Sequence, residues 1–131
     1  MTEGAKVLLG DDSALARTMI ARALKSLGVE LIEADTGNKV IRAINAHKPD
    51  LLVLDISMPY PDGLTILRKI REDDEFRTLP VIMCSVESGN MTRTEAEVLG
   101  ISGFLTKPLD MNLLREMAKE AINTHKGLIN N

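Results

Sequence analysis

Leu51-Leu52-Val53-Leu54-Asp55, running directly into Ile56-Ser57-Met58-Pro59-Tyr60-Pro61-Asp62-Gly63, is the stretch on which the fold turns. Four consecutive apolar residues without polar alternation predict a strand buried on both faces, and such strands belong to parallel sheets covered by helices. The strand ends on a carboxylate, and a loop rich in Pro, Asp and Gly begins at once. In open α/β sheets, ligands bind just beyond the carboxyl ends of the strands. Asp55 is therefore either a turn former or the chemical centre of the protein, and the flanking chain decides between them.

Upstream, Lys6 to Gly10 is a first apolar strand that ends on Asp11-Asp12. Asp12 or Ser13 caps a helix whose core stripe is Ala16, Ile20, Ala23 and Leu27, with Gly28 as its stop. Leu15 and Met19 fall beside that stripe. Glu30 to Ala34 is a more polar, edge-like strand, and Asp35 or Thr36 caps a second helix with Val40, Ile41, Ile44 and Ala46 on its apolar side. Downstream of Gly63, Leu64, Leu67 and Ile70 mark a third helix. Leu79 to Cys84 forms the fourth strand, ending at Ser85, with Pro80 tolerated at its start. Ser88 to Gly100 reads as a helix with a weak apolar face of Ala96, Val98 and Leu99, and few buried contacts predict low local stability there. Ser102 to Thr106 is a short fifth strand running into Lys107-Pro108. Asp110 caps a last helix with Leu114, Met117, Ala118 and Ala121 inward, followed by a polar, frayed tail over 124–131.

Strands alternating with helices across short connections predict one doubly wound, parallel α/β domain over 1–131, with its core at about 5–123. A length of 131 residues suits one domain with a real core. Aromatic residues make up only 2% of the chain, so Leu, Ile, Val, Ala and Met must fill that core. The net charge of −3 argues against a nucleic-acid interface, which needs clustered basic residues. Nothing approaches the roughly 18 uninterrupted apolar residues of a membrane span, and no signal-peptide apolar region opens the chain. The single cysteine, Cys84, forms no internal disulfide and fits a reducing compartment, so a cytoplasmic protein is expected. Its place in Val81-Ile82-Met83-Cys84 marks it as core. His47 and His125 stand alone, with no partner at metal-ligand spacing.

The strand ends carry the chemistry. Strand one offers Asp11 and Asp12, strand three Asp55, strand four Ser85 and the end of strand five Lys107. In a parallel sheet these ends share one side, so three carboxylates, a hydroxyl and an ammonium converge. Three carboxylates together need a cation, and hard oxygen donors suit Mg²⁺. A carboxylate beside Mg²⁺ and Lys can attack phosphorus and form an aspartyl phosphate.

The chain resembles the receiver domain of bacterial two-component response regulators, including the single-domain chemotaxis type. The matching residues are Asp11-Asp12-Ser13, Asp55 within Asp55-x-x-Met58-Pro59-x-x-Asp62-Gly63, Ser85, Phe104 and Lys107-Pro108. The resemblance spans about residues 5 to 123 and implies a flavodoxin-like fold, a five-stranded parallel sheet of order 2-1-3-4-5 with five helices. It implies that Asp55 accepts phosphate from a histidine kinase or histidine phosphotransfer protein. Asp11, Asp12, Asp55 and the backbone carbonyl of Ser57 would hold Mg²⁺. Lys107 and Ser85 would contact the phosphoryl group, and Ser85 and Phe104 would act as the switch that changes affinity for a downstream protein target. Val86 and Glu87 would border the pocket. Leu15, Met19 and Pro108 are candidate kinase-docking contacts. Neither nucleic acid nor membrane is an expected partner; the protein would be a monomer or a dimer formed on phosphorylation.

Two residues depart from the family pattern. Val86 stands where many receivers place Ala or Gly, which would narrow access for the phosphodonor. Gly10 replaces the usual branched apolar residue and is expected to loosen the first strand. The alternatives are a receiver-like scaffold indifferent to phosphate and an aspartyl-nucleophile phosphatase. The second lacks its general acid, because Ser57 stands where haloacid-dehalogenase-like phosphatases carry a second Asp. Slow self-dephosphorylation is the most enzymatic activity expected.

Overall fold

The computed structural model describes residues 1–86 and 90–130, the side chains of 90 and 128–130 excepted. Its elements are β1 (Lys6–Gly10), α1 (Ala14–Leu24) with a 3₁₀ turn over Lys25–Leu27, β2 (Glu30–Ala34), α2 (Gly37–His47), β3 (Leu51–Asp55), α3 (Gly63–Glu72), β4 (Val81–Ser85), α4 (Asn90–Leu99), β5 (Gly103–Thr106) and α5 (Met111–Asn130). The five strands are parallel in the order β2-β1-β3-β4-β5, as the resemblance implied.

The period-2 alternation of side chains divides β3 between two cores. Leu52 and Leu54 join Leu8, Val40, Ile44, Ile66, Leu67 and Met83 on one face. Leu51 and Val53 join Val7, Leu9, Ile20, Leu24, Ile82, Leu114 and Ala118 on the other. Every residue of β3 and β4 is buried, which is why those stretches read as unbroken apolar runs rather than alternating ones. Cys84 lies in the second core, and burial pushes its thiol up to about 12.

Local chemistry sets the helix starts. Ser13 Oγ accepts from the Ala16 amide at 3.1 Å, Thr36 Oγ1 from Lys39 at 3.2 Å, and Asp62 Oδ1 from Thr65 at 3.0 Å. These bonds satisfy amides that have no intrahelical acceptor. Of the paired alternatives, Ser13 and Thr36 therefore do the capping. Asp110 caps α5, accepting from Asn112 at 3.0 Å and Leu113 at 3.1 Å. Arg71 closes the other end of α4, with Nη2 on the Gly100 carbonyl at 2.7 Å and Nε 3.1 Å from that of Leu99.

Several expectations need correction. Val98 is no anchor of α4 but 82% exposed, while Ala96 is buried and Leu99 half-buried. Two residues apart on a helix means about 200° of rotation, so Val98 faces away from Ala96. Ala46 is exposed for the same reason relative to Ile44. Ile66 and Leu24 are fully buried members of their stripes that the spacing argument passed over. The 124–131 segment is not a tail from Thr124 onward, since α5 continues to Asn130 and His125 is buried within it. Gly10, expected to loosen the first strand, keeps its place in β1 and pairs with both Ala34 and Leu54. A Cβ there would stand 2.8 Å from Val40 Cγ2 and 3.0 Å from Leu54 Cδ1, so the glycine makes room for α2 against the sheet. No helix among the described residues is long and apolar enough to cross a membrane.

Candidate phosphoacceptor and metal site

The carboxyl ends of the strands deliver their polar residues to one place. Asp11 follows β1 directly and is 2% exposed; Asp55 closes β3 and is 4% exposed; Asp12 is open to solvent. Each of the three offers a carboxylate oxygen within 4.8 Å of the others. Lys107, one residue past β5, places Nζ 2.8 Å from Asp11 Oδ2 and 3.6 Å from Asp55 Oδ2. The backbone joins in: the Ser13 amide donates to Asp11 Oδ1 at 2.9 Å, and the Ser57 amide to Asp55 Oδ1 at 3.0 Å.

Gly63 lets the loop after β3 fold back onto the strand end. A Cβ on Gly63 would lie 2.7 Å from Ile56 Cα and 2.8 Å from the Asp55 carbonyl oxygen, both backbone atoms that cannot yield. The Asp62-Gly63 pair thus does two jobs, capping α3 and permitting close approach beside Asp55.

Burial pushes the Asp55 carboxyl above the ordinary carboxylate range, and the charges of Asp11 and Asp12 push the same way. The Ser57 amide and Lys107 oppose them without prevailing. For Lys107, burial favours the neutral amine, but the hydrogen bond it donates to Asp11 and the charges of Asp55 and Asp11 outweigh this and raise the ammonium's pKa. A cation is therefore held against an acidic cluster with a net excess of negative charge. Three hard oxygen donors at this spacing fit a divalent cation such as Mg²⁺.

Ser85 ends β4 in a buried position, and its main-chain carbonyl accepts from the Lys107 amide at 2.8 Å. Phe104 is half-buried on β5, with the Arg93 guanidinium 5.5 Å from its ring centroid. Val86 is 64% exposed beside Ser85. Glu87 lies outside the described residues. The peptide bond between Lys107 and Pro108 is cis, and Pro108 is exposed. Leu15 and Met19 are exposed on α1, so they are not absorbed into flank packing. Ser57 meets Asp55 through its amide; its carbonyl as a metal ligand rests on the family resemblance alone. His125 lies apart from the site, with Nε2 3.9 Å from Asp50 Oδ1. Burial lowers its pKa.

Sequence reasoning passed over Arg17. Its Nη1 donates to the Asp11 carbonyl at 2.6 Å and its Nε to Glu33 Oε1 at 2.8 Å. The only signal in the chain is a basic residue six positions after Asp11, and its partner Glu33 is on a different strand.

A family model described as "Response regulator receiver domain" matches residues 7–119. The chain is 31% identical over 123 residues to a chemotaxis protein CheY from Pseudomonas aeruginosa, covering 93% of this chain and 99% of that one. It is 32% identical over 119 residues to chemotaxis protein CheY of Bacillus subtilis, covering 90% and 98%. Among solved structures, the receiver domain of the Francisella response regulator 1452 superposes with a TM-score of 0.84 at 26% identity, covering 92% of this chain and 98% of that one.

Proposed function

The chain belongs to the response regulator receiver domain family, and on that premise we propose that it is a phosphorelay switch whose phosphoacceptor is Asp55. The observation that carries this reading is the placement of the Asp55 carboxylate within 4.8 Å of those of Asp11 and Asp12 and 3.6 Å from Lys107 Nζ. An ionised Asp55 oxygen attacks the phosphorus of a phosphohistidine on a histidine kinase or histidine phosphotransfer protein. The oxygen–phosphorus bond forms as the nitrogen–phosphorus bond breaks, and the released electron pair stays on the imidazole nitrogen. Lys107 favours the ionised acceptor and then faces the phosphoryl oxygens. Asp11, Asp12, Asp55 and the Ser57 carbonyl would hold Mg²⁺, which offsets the charge of carboxylates and phosphoryl oxygens. The product is an acyl phosphate that this chain hydrolyses slowly at most, since Ser57 offers no general acid or base where a phosphatase would carry one.

The phosphoryl group makes contacts available in only one packing and so shifts a two-state population. Ser85 turns toward it, Phe104 rotates inward, and the face built by α4, β5 and α5 changes its affinity for a downstream protein. Val86, exposed beside Ser85, tunes phosphodonor access, and Glu87 tunes phosphate lifetime. Leu15 and Met19 on α1, with Pro108, form the docking surface for the phosphodonor protein. The switch acts as a monomer or through a dimer formed on phosphorylation.

Beryllofluoride with Mg²⁺, which mimics a phosphorylated carboxylate, tests the reading. The amide resonances of Phe104 and α4 are expected to shift in the parent and stay still in Asp55→Asn. An equal response in Asp55→Asn refutes it.

A further inference from the structure

The turn that carries Asp11 and Asp12 lies beyond the end of β1, and the ladder with β2 reaches it only through its last rung, at the Asp11 amide. Four hydrogen bonds hold Asp11, that rung included. Its amide donates to the Ala34 carbonyl at 3.2 Å, Oδ1 accepts from the Ser13 amide at 2.9 Å and Oδ2 from Lys107 at 2.8 Å. The fourth and shortest comes from Arg17 Nη1 to the Asp11 main-chain carbonyl at 2.6 Å. That guanidinium is itself fixed by Glu33 on β2, 2.8 Å from Nε, and its side chain is only 15% exposed. The planar fork thus spans α1, the β1–α1 turn and the edge strand at once, a geometry a lysine ammonium does not reproduce.

We propose that Arg17, oriented by Glu33, is a positioning residue that sets the divalent-cation affinity of the site by holding the Asp11-Asp12 turn against Asp55. This inference rests on the metal site proposed above. Charge and geometry make opposite predictions for it. As a bare cation close to the turn that carries Asp11 and Asp12, Arg17 would oppose Mg²⁺, so its removal would tighten binding. As a strut for the ligand turn, its removal loosens binding, and outer-shell partners of this kind are worth about 10–100-fold in metal affinity.

The test is a Mg²⁺ titration of the full chain without phosphodonor, followed by the amide shifts of Ser13 and Ser57, with thermal melting in EDTA as a measure of fold. Arg17→Ala is expected to bind Mg²⁺ at least about tenfold more weakly. Arg17→Lys should weaken it in the same direction despite keeping the charge, while Glu33→Gln, which keeps an acceptor for Nε, should stay near the parent. Arg17→Ala binding as tightly as the parent, or more tightly, overturns the inference even if its melting point falls. Should Arg17→Ala not fold, Arg17→Lys decides, and parental affinity in that variant overturns it. A parent that binds no Mg²⁺ refutes the metal site and this inference together, whereas a binding parent with an unchanged variant refutes the inference alone.

Discussion

Asp55→Asn removes one charge from a cluster whose balance can be worked out from the geometry. At an effective dielectric constant of about 20, the Asp11–Asp55 repulsion, with oxygens within 4.8 Å, is at least about 3.5 kcal/mol, and the Lys107–Asp55 attraction at 3.6 Å is about 4.6 kcal/mol. Asp12, facing water, adds a smaller repulsion. The Coulombic effects nearly cancel, so the unfavourable burial of the Asp55 charge decides the sign, in line with burial being the main cause of its raised pKa. Without metal, Asp55→Asn should therefore be more stable than the parent by about 1–2 kcal/mol, or about 4–8 °C in Tm. Because the native-state pKa is raised, the penalty is absent below the ordinary carboxylate value and develops as pH rises through the native value, and Asp55→Asn should lose that pH dependence. Saturating Mg²⁺ should invert the ranking. At about 100 times Kd a native-state ligand contributes about 2.7 kcal/mol to the parent, and the variant, one ligand short, gains less. Calorimetric melting at neutral pH, in EDTA and in Mg²⁺, reads all of this. An Asp55→Asn variant less stable than the parent in EDTA, or stabilised equally by Mg²⁺, refutes the reasoning.

Other parts of the molecule give equally specific expectations. Gly10→Ala places a methyl 2.8 Å from Val40 Cγ2, so urea unfolding should show a loss of about 1–3 kcal/mol, and an unchanged midpoint would contradict the packing argument. Cys84, with its thiol pushed up to about 12 by burial, should resist iodoacetamide in the native state and react only on unfolding; fast native labelling would mean the core opens there. Arg93→Ala removes a cation lying 5.5 Å from the Phe104 centroid, an interaction of about 0.5–1 kcal/mol. It should therefore free Phe104 and let beryllofluoride saturate the switch at lower concentration, and an unshifted titration would show that the contact restrains nothing.

The parts legible in the sequence were those with short-range signatures. The apolar runs of β3 and β4 are unbroken because both faces are covered, and the strand-end residues converge because parallel strands all finish on one side. Helix faces were harder to read. Val98 and Ala46 look like stripe members by composition, yet they sit about 200° away from the buried neighbours Ala96 and Ile44. Gly10 reads as a weakness until Val40 is seen packed above it. Arg17 was invisible for a related reason: its two partners, Asp11 and Glu33, are brought together only by the pairing of β1 with β2.

Asp55 as the phosphoacceptor is measured directly by intact-mass analysis after incubation with acetyl phosphate and Mg²⁺. The prediction is one phosphoryl adduct on the parent, located at Asp55 by peptide mapping, lost in EDTA and absent from Asp55→Asn. An adduct that persists in Asp55→Asn, or a parent that takes up none when a CheY relative treated alongside does, would contradict it.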